Sequence, residues 1–149
     1  MNVEDLLMFE EGYRPKAYYC TEGYPTIGIG TVLGPKGTPL KYYTLTVSKT
    51  VAKAFLREEI NRLIDVLRGY AWFTSCNEAR KAVLISMAYQ MGEKGLLSFK
   101  NTLALIGSGE YAKAADNMLL SKWAAQTPQR AKRHAEVMRT GSFKVYEGQ

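Results

Sequence analysis

The sequence predicts an α+β protein in which a few short strands lie near the N-terminus and helices form the rest. Apolar residues recur at helical spacing through most of the chain after residue 48. Residues 13 to 33 instead combine alternating branched residues with glycine- and proline-containing turns. The 149 residues, 46% of them hydrophobic, are enough for one compact unit with a substantial core.

The chain is predicted to begin with a short helix over residues 3 to 11. Asn2 is a favourable cap, the acidic first turn suits the positive helix N-terminus, and Gly12 can end the helix. Residues 13 to 33 then predict a hairpin or small sheet. Its glycines leave one face bare, which favours the close approach of a ligand or of another backbone segment.

A long helix over about residues 49 to 68, capped by Ser48, is predicted next and could connect two lobes. From residue 77 the chain is predicted to be almost entirely helical. Asn77 can cap a helix that ends at Gly92, and a shorter apolar helix covers residues 99 to 106.

Two further helices complete the predicted bundle. One covers residues 110 to 121, and four of its residues are expected to face inward: Ala112, Ala115, Met118 and Leu119. The last begins at Thr127-Pro128, a cap followed by proline at the first helical position, and runs to about Arg139.

These elements predict one domain over residues 1–149 with two sub-lobes. The β-containing lobe comprises residues 12–58. The helical lobe comprises residues 1–11 and 59–149. We expect the long helix to join the two.

Charge, cysteine and histidine content limit the kinds of partner and site that the chain can have. The net charge of +6 favours an anionic partner, which could be nucleic acid, a membrane surface or a polymer such as bacterial cell wall. Cys20 and Cys76 match neither a metal spacing nor a CxxC motif. The single histidine, His134, gives little support to a zinc site or a Ser-His-Asp triad. We therefore expect no metal and no cofactor.

Glu11 is the first candidate for chemistry. It stands at the predicted C-terminal end of a helix, where the dipole disfavours an anion and favours the protonated acid. A protonated carboxyl is what a general acid in glycoside cleavage requires. From the residues alone, a solvated surface carboxylate beside Glu10 is the favoured interpretation, because carboxylates are mostly exposed.

The segment from Glu11 to Gly30, EGYRPKAYYCTEGYPTIGIG, resembles the active-site segment of phage lysozymes of the T-even type. The family pattern is Glu, eight residues, Asp or Cys, five residues, Thr, and Glu11, Cys20 and Thr26 match it in register. Four later blocks resemble the same family: MAYQMGE at 87–93, Trp123, QTPQRAKR at 126–133, and RTG at 139–141. The resemblance is weak only over about residues 32 to 76.

The resemblance implies a lysozyme-like fold and an enzyme that hydrolyses β-1,4 bonds between N-acetylmuramic acid and N-acetylglucosamine in peptidoglycan. Glu11 would protonate the leaving oxygen, while residues 20 and 26 hold a water that attacks from the opposite face with inversion. Arg130 matches a family arginine that pairs with the catalytic glutamate, and we expect this residue to be structural first.

Cys20 and Thr26 also have simpler interpretations. Cys20 stands where the T-even relatives carry aspartate, and it could position the water, act as a base, or be a small apolar filler. Thr26 could be an ordinary strand threonine. The charge stabilisation that a carboxylate at residue 20 would give could come in part from Glu22.

The resemblance also implies substrate contacts at Val32, Tyr89, Thr102 and Asn117. We expect Gln90 and Lys122 to line the same cleft, and Glu22 is a further expected binding residue. Tyr89 has helix core as its alternative, because apolar helical spacing indicates packing as often as binding. A nucleic-acid role for the basic run at residues 130–134 is disfavoured, since no aromatic or glycine-rich nucleic-acid motif accompanies it.

The predicted function is that of an endolysin which lyses the host bacterium, with peptidoglycan as partner and a monomer as the active form. The alternative is a non-enzymatic cationic protein that disrupts walls or membranes. The acidic N-terminus lacks a signal peptide, and no apolar run approaches the ~20 residues that span a bilayer. We expect no stable membrane insertion, and a location in the host cytoplasm until a separate membrane-permeabilising factor releases the protein to the wall.

Overall fold

The computed structural model describes residues 1–148, which fall into two compact units. One unit, here the helical unit, comprises residues 1–6 and the chain from residue 62 onward. The other, here the β unit, comprises residues 7–61. Helices α1 (Val3–Glu11) and α2 (Lys49–Leu67) each contain one of the boundaries. The predicted α+β class is confirmed.

The β unit is built on a three-stranded antiparallel sheet in the order β1-β2-β3. Its strands are β1 (Arg14–Tyr19), β2 (Pro25–Gly28) and β3 (Thr31–Val32). The central strand β2 is buried along its whole length. This confirms the hairpin or small sheet predicted between residues 13 and 33.

The core of the β unit forms where the sheet meets α2. Gly28 has a φ of 67°, and a Cβ placed there would lie 3.1 Å from the Ala52 Cβ, so a glycine allows the helix to pack closely on the strand. A 3₁₀ turn, Leu40–Tyr42, precedes α2. The buried apolar residues of this unit are Leu7, Ile27, Ile29, Val47, Ala52, Leu56 and Ile60.

The helical unit is organised around its last long helix. After α2 come α3 (Ala71–Thr74), α4 (Glu78–Leu97), α5 (Lys100–Gly107), α6 (Tyr111–Met118), α7 (Lys122–Gln126), α8 (Pro128–Thr140) and a 3₁₀ turn (Lys144–Tyr146). Helix α8 packs against α4, α6, α7 and the final turn. Arg130 and His134 are buried along this helix. Within residues 1–148, no helix is long and apolar enough to cross a bilayer.

Three predicted helix caps are confirmed. The Asn2 side chain accepts from the Asp5 N–H at 2.9 Å. Ser48 Oγ accepts from the N–H of residue 51 at 3.2 Å, and Asn77 Oδ1 accepts from the N–H of residue 80 at 3.0 Å. Each side chain satisfies a backbone donor that the first helical turn leaves unpaired.

Gly92 is non-helical, with φ 80° and ψ 165°, so the helical backbone is interrupted where the sequence predicts a helix end, and a second helical stretch follows it to Leu97 within α4. The start of α8 differs from prediction in its cap. The Thr127 hydroxyl donates to the Trp123 carbonyl, so it satisfies the end of α7 and does not cap α8. Proline at the start of α8 is confirmed.

The helix expected over residues 110 to 121 is α6, Tyr111–Met118, which ends three residues earlier than predicted. Ser121 has extended backbone angles and accepts from the Ala124 N–H, so it caps α7 and separates it from α6. Leu119 therefore lies past the end of α6 and is 40% exposed, and Ala112 is also exposed. The inward placement predicted for these two residues is wrong.

Candidate active site

Glu11 is the last residue of α1 and is half-buried. The last turn of the helix holds no basic residue, and Gly12, with a φ of 69°, follows at once. The carboxyl thus lies at the negative end of the helix dipole, as the sequence predicts.

The Glu11 side chain packs directly against Gly30. A Cβ built at residue 30 would lie 2.8 Å from Glu11 Oε2 and 3.0 Å from its Cδ. Gly30 also has a φ of 69°, which L side chains rarely adopt. The bare glycine backbone predicted from the sequence is therefore used here, and the group that approaches it is the candidate acid itself.

Tyr18 interacts electrostatically with both the candidate acid Glu11 and Cys20. The phenol is half-buried, and burial raises its pKa. The Glu11 carboxylate raises the pKa of Tyr18 further and Cys20 adds to it, while Arg14 lowers it. The Arg14 guanidinium lies 4.0 Å from the centre of the Tyr18 ring. These four side chains therefore share one electrostatic environment within the β unit.

The carbonyl of Tyr24 ties together the two residues expected to hold a water. It accepts the Cys20 backbone N–H at 3.0 Å and the Thr26 hydroxyl at 2.8 Å. Cys20 is half-buried, and Thr26 is 2% exposed. Because the Thr26 hydroxyl proton is donated to a carbonyl, its oxygen lone pairs are available to accept a hydrogen bond.

The other two expected residues of the β unit lie at exposed positions. Glu22 is exposed in the turn between β1 and β2. Val32 is 57% exposed and is paired with Thr26 across the β2-β3 ladder. Directly paired residues of an antiparallel sheet point to the same face, so Val32 is a neighbour of Thr26.

Within the helical unit, Thr102 and Asn117 come together. The Thr102 hydroxyl donates to Asn117 Oδ1 at 2.6 Å, which orients the amide and leaves the Asn117 NH₂ group as a donor. Thr102 is 2% exposed, whereas Asn117 is half-buried.

Three more expected binding residues lie on α4 and α7. Gln90 Oε1 accepts from Trp123 Nε1 at 2.8 Å, so this side chain is held in place by a buried indole. Tyr89 is half-buried, and Lys122 is exposed at the start of α7. Each of the three thus presents part of its surface to solvent.

Arg130 is 8% exposed and lies on the buried face of α8. Its Nη2 donates to Ser86 Oγ at 2.9 Å and is 3.4 Å from the Ser86 carbonyl oxygen. Ser86 Oγ is also 2.7 Å from His134 Nε2. The predicted ion pair between Arg130 and Glu11 stays a prediction.

Sequence reasoning missed Gly30, Tyr18 and the Tyr24 carbonyl as parts of the site. Tyr18 could have been found, because a hairpin through residues 13–33 can pair it with Thr26, as the observed register does. The contact between Gly30 and Glu11 carries no local signature, since it joins a helix end to a turn. The role of the Tyr24 carbonyl could not be predicted either, because every residue type has a backbone carbonyl.

Neither cysteine forms a disulfide: Cys20 is half-buried and Cys76 buried. Within residues 1–148, no three His, Cys, Asp or Glu side chains form a cluster that could hold a metal ion. The expectation that no metal or cofactor is required stays a prediction.

Residues 9–136 of the chain match the phage lysozyme family. A probable T4-type lysozyme of Dictyostelium discoideum is 27% identical, with 98% of each chain covered. The pre-baseplate central spike protein Gp5 of Enterobacteria phage T4 is 30% identical over 98% of this chain but only 29% of its own length. An endolysin of Salmonella phage P22 is 28% identical, with 80% of each chain covered.

Proposed function

The chain belongs to the phage lysozyme family, and on that basis we propose that it hydrolyses the β-1,4 bonds between N-acetylmuramic acid and N-acetylglucosamine in bacterial peptidoglycan. It is a glycoside hydrolase, in keeping with its lysozyme and endolysin relatives. The active-site residues and the stereochemistry below are part of the proposal.

The observation that carries the proposal is the environment of Glu11. The side chain lies at the negative end of α1 and rests against the bare backbone of Gly30. The contact with Gly30 restricts the orientation of the carboxyl. A general acid needs a fixed orientation, since it must give its proton to one particular oxygen.

In the proposed reaction Glu11 donates its proton to the glycosidic oxygen as the bond to the anomeric carbon breaks. A water held by Cys20 and Thr26 attacks that carbon from the opposite face, which inverts its configuration. Thr26 accepts a hydrogen bond from the water, because its own proton is donated to the Tyr24 carbonyl. As the new C–O bond forms, the water gives one proton to solvent, or to Cys20 acting as a thiolate base that then returns it to solvent. Glu11 is reprotonated from solvent to complete the cycle.

The remaining expected residues are proposed to bind the glycan or its peptide. Asn117, oriented by Thr102, offers an amide N–H to a sugar or peptide oxygen. Gln90, held by Trp123, is a second fixed amide. The proposed contacts also include Glu22, Val32, Tyr89 and Lys122.

We further propose that the protein acts as a monomer on the wall of its host bacterium. It would reach the wall from the host cytoplasm after a separate membrane-permeabilising factor opens the way. The likeness to a phage endolysin over 80% of both chains supports this setting.

The deciding experiment is the clearing of a suspension of permeabilised Gram-negative cells by the wild type and by Glu11→Gln. The variant keeps the size of the side chain but cannot donate an acidic proton, so we expect clearing to be lost. Glu58→Gln, which makes the same charge change at an exposed position on α2, should clear like the wild type.

Equal clearing by Glu11→Gln would reject Glu11 as the acid. Since the net charge is +6, it would favour the alternative of a cationic protein that disrupts walls or membranes without turnover. Release of new reducing sugar ends separates the two, because only hydrolysis produces them.

A further inference from the structure

Four buried side chains form a continuous hydrogen-bonded chain in the helical unit, here called the Arg130 relay. It runs from Arg130 Nη2 to Ser86 Oγ at 2.9 Å, from Ser86 Oγ to His134 Nε2 at 2.7 Å, and from His134 Nδ1 to the Tyr146 hydroxyl at 3.0 Å. Ser86 and His134 are 0% exposed, Tyr146 5% and Arg130 8%. Buried hydrogen bonds of this kind polarise and orient one another.

We propose that His134 is a positioning residue that fixes the direction of the Arg130 guanidinium through the Ser86 hydroxyl. This inference rests on the proposed function and on the role that the family resemblance implies for Arg130 as the partner of the catalytic glutamate. It assigns a role to the only histidine of the chain, which the proposed reaction does not otherwise use.

The donors available in the relay favour one arrangement of its protons. A guanidinium can only donate, so the Ser86 hydroxyl oxygen is the acceptor in its bond to Arg130. When His134 Nε2 carries no proton, the Ser86 hydroxyl donates to it and leaves its lone pairs for Arg130. The ring proton then lies on Nδ1 and is donated to the Tyr146 oxygen. The other neutral tautomer would make Ser86 Oγ accept from His134 and Arg130 together.

The charge state of His134 agrees with this arrangement. Complete burial holds its pKa well below the ordinary value, and the cations of Arg130 and Arg133 lower it further. A neutral ring can accept at Nε2, whereas an imidazolium would donate there and place a second positive charge beside Arg130. The relay therefore requires the neutral ring that its surroundings favour.

The relay also joins three separate elements. Ser86 belongs to α4, Arg130 and His134 lie one turn apart on α8, and Tyr146 belongs to the final 3₁₀ turn. The Trp123 indole lies beside this group, with its ring centre 5.8 Å from that of His134 and the two ring planes tilted by 47°. A change at Tyr146 should thus reach the guanidinium without altering any group that touches it.

The first test is nitrogen NMR of the imidazole, in which the single histidine gives an unambiguous signal. At neutral pH we expect Nδ1 to be protonated and Nε2 to be bare. Tyr146→Phe removes the partner of Nδ1 and should let the other tautomer appear. A protonated Nε2 in the wild type would overturn the inference.

The second test is kinetic. His134→Leu, which removes both ring nitrogens, should lower kcat by roughly 10- to 100-fold with little change in KM, the size of loss expected when a distant change misplaces a site group. His134→Gln, which keeps an acceptor at the ε position, should restore most of kcat. If His134→Leu does not fold, Tyr146→Phe takes its place.

The same substitution in an Arg130→Lys background separates positioning from general support of the fold. If His134 acts through Arg130, His134→Leu should lower kcat little further there. A full, additive loss would reject the inference. Failure of the proposed function is seen separately, as retained hydrolysis by Glu11→Gln, and leaves the NMR result to stand by itself.

Discussion

The side chain of Glu11 rests directly on the backbone of Gly30, and there is no room between them for a Cβ atom. A Cβ at residue 30 would lie 2.8 Å from Glu11 Oε2 and 3.2 Å from its Cγ. A residue of the β2-β3 turn thereby sets the position of the candidate acid at the end of α1. The shape of the turn therefore restricts where the candidate acid can lie.

Gly30→Ala should therefore inactivate the enzyme while leaving it folded. The methyl group would displace the Glu11 carboxyl, and we expect kcat to fall by about 10- to 100-fold, as when a site group is misplaced. The positive φ of residue 30 adds about 1–2 kcal/mol of backbone strain. Cell-wall clearing and urea denaturation measure the two effects separately.

Gly37→Ala is the matched control for that strain. Residue 37 has a φ of 80°, and a Cβ there meets nothing within 4 Å. This variant should lose a similar free energy of unfolding but keep full activity. Equal activity of the two variants would show that Gly30 does not hold the acid in place.

The features that the sequence predicted correctly depend on residues close together in the chain. The caps at Asn2, Ser48 and Asn77 each depend on a residue and its neighbour three positions later, and all three are confirmed. The hairpin was also predictable, because its strands are neighbours in the sequence and are joined by a short turn. Thr127 shows the limit, since the hydroxyl expected to cap α8 donates instead to the Trp123 carbonyl at the end of α7.

The geometry of the site was beyond local reasoning. The family motif indicates Glu11, Cys20 and Thr26, but it gives no reason for Gly30 to touch the acid. The hydrogen bonds from Ser86 to His134 join residues 48 positions apart, so no pattern of spacing reports them. Residue types could identify chemical candidates, whereas their partners required the fold.

Substitutions at Cys20 should show what its thiol does. We expect Cys20→Asp to keep or raise kcat, because a carboxylate can both take the water proton and stabilise positive charge at the anomeric carbon. Cys20→Ser should keep part of the activity through its hydroxyl, and Cys20→Ala should lose about 100-fold or more, as when a general base is removed. Full activity of Cys20→Ala would make the residue a filler.

Thiol reagents should distinguish the two cysteines. Burial raises the pKa of the Cys76 thiol, which lowers its thiolate fraction, and the side chain is only 6% exposed. Cys20 is half-buried, so we expect it to react first and activity to fall in step with its labelling. Mass spectrometry of partly labelled protein checks the order, with Cys20→Ser as the control that should resist inactivation.

The bond between Thr102 and Asn117 should matter for substrate binding. Thr102→Val removes the hydroxyl that orients the Asn117 amide, so we expect KM to rise severalfold with a smaller change in kcat. The lost hydrogen bond should also cost about 1 kcal/mol of folding free energy. Steady-state kinetics on soluble glycan fragments measure the first effect, and Thr102→Ser, which keeps the hydroxyl, should behave like the wild type.

The buried His134 should make stability depend on pH in a narrow window. Its pKa in the folded protein lies well below the ordinary value, through burial first and then through Arg130 and Arg133. Below a pH of about 6.5 the unfolded chain binds a proton that the folded chain does not, so the free energy of unfolding falls as the pH falls. One proton gives a slope of at most about 1.4 kcal/mol per pH unit.

Urea denaturation at pH 7 and at pH 5 measures this loss, which should be roughly 1–2 kcal/mol for a single group over that range. His134→Gln has no titrating ring, and because the chain has no other histidine, the loss should nearly vanish in that variant. Below pH 5 the carboxylates begin to titrate in both proteins, so the comparison belongs above it. An equal pH dependence in the two would mean that His134 does not remain neutral in the folded state, and the neutral acceptor at Nε2 would have to be abandoned with it.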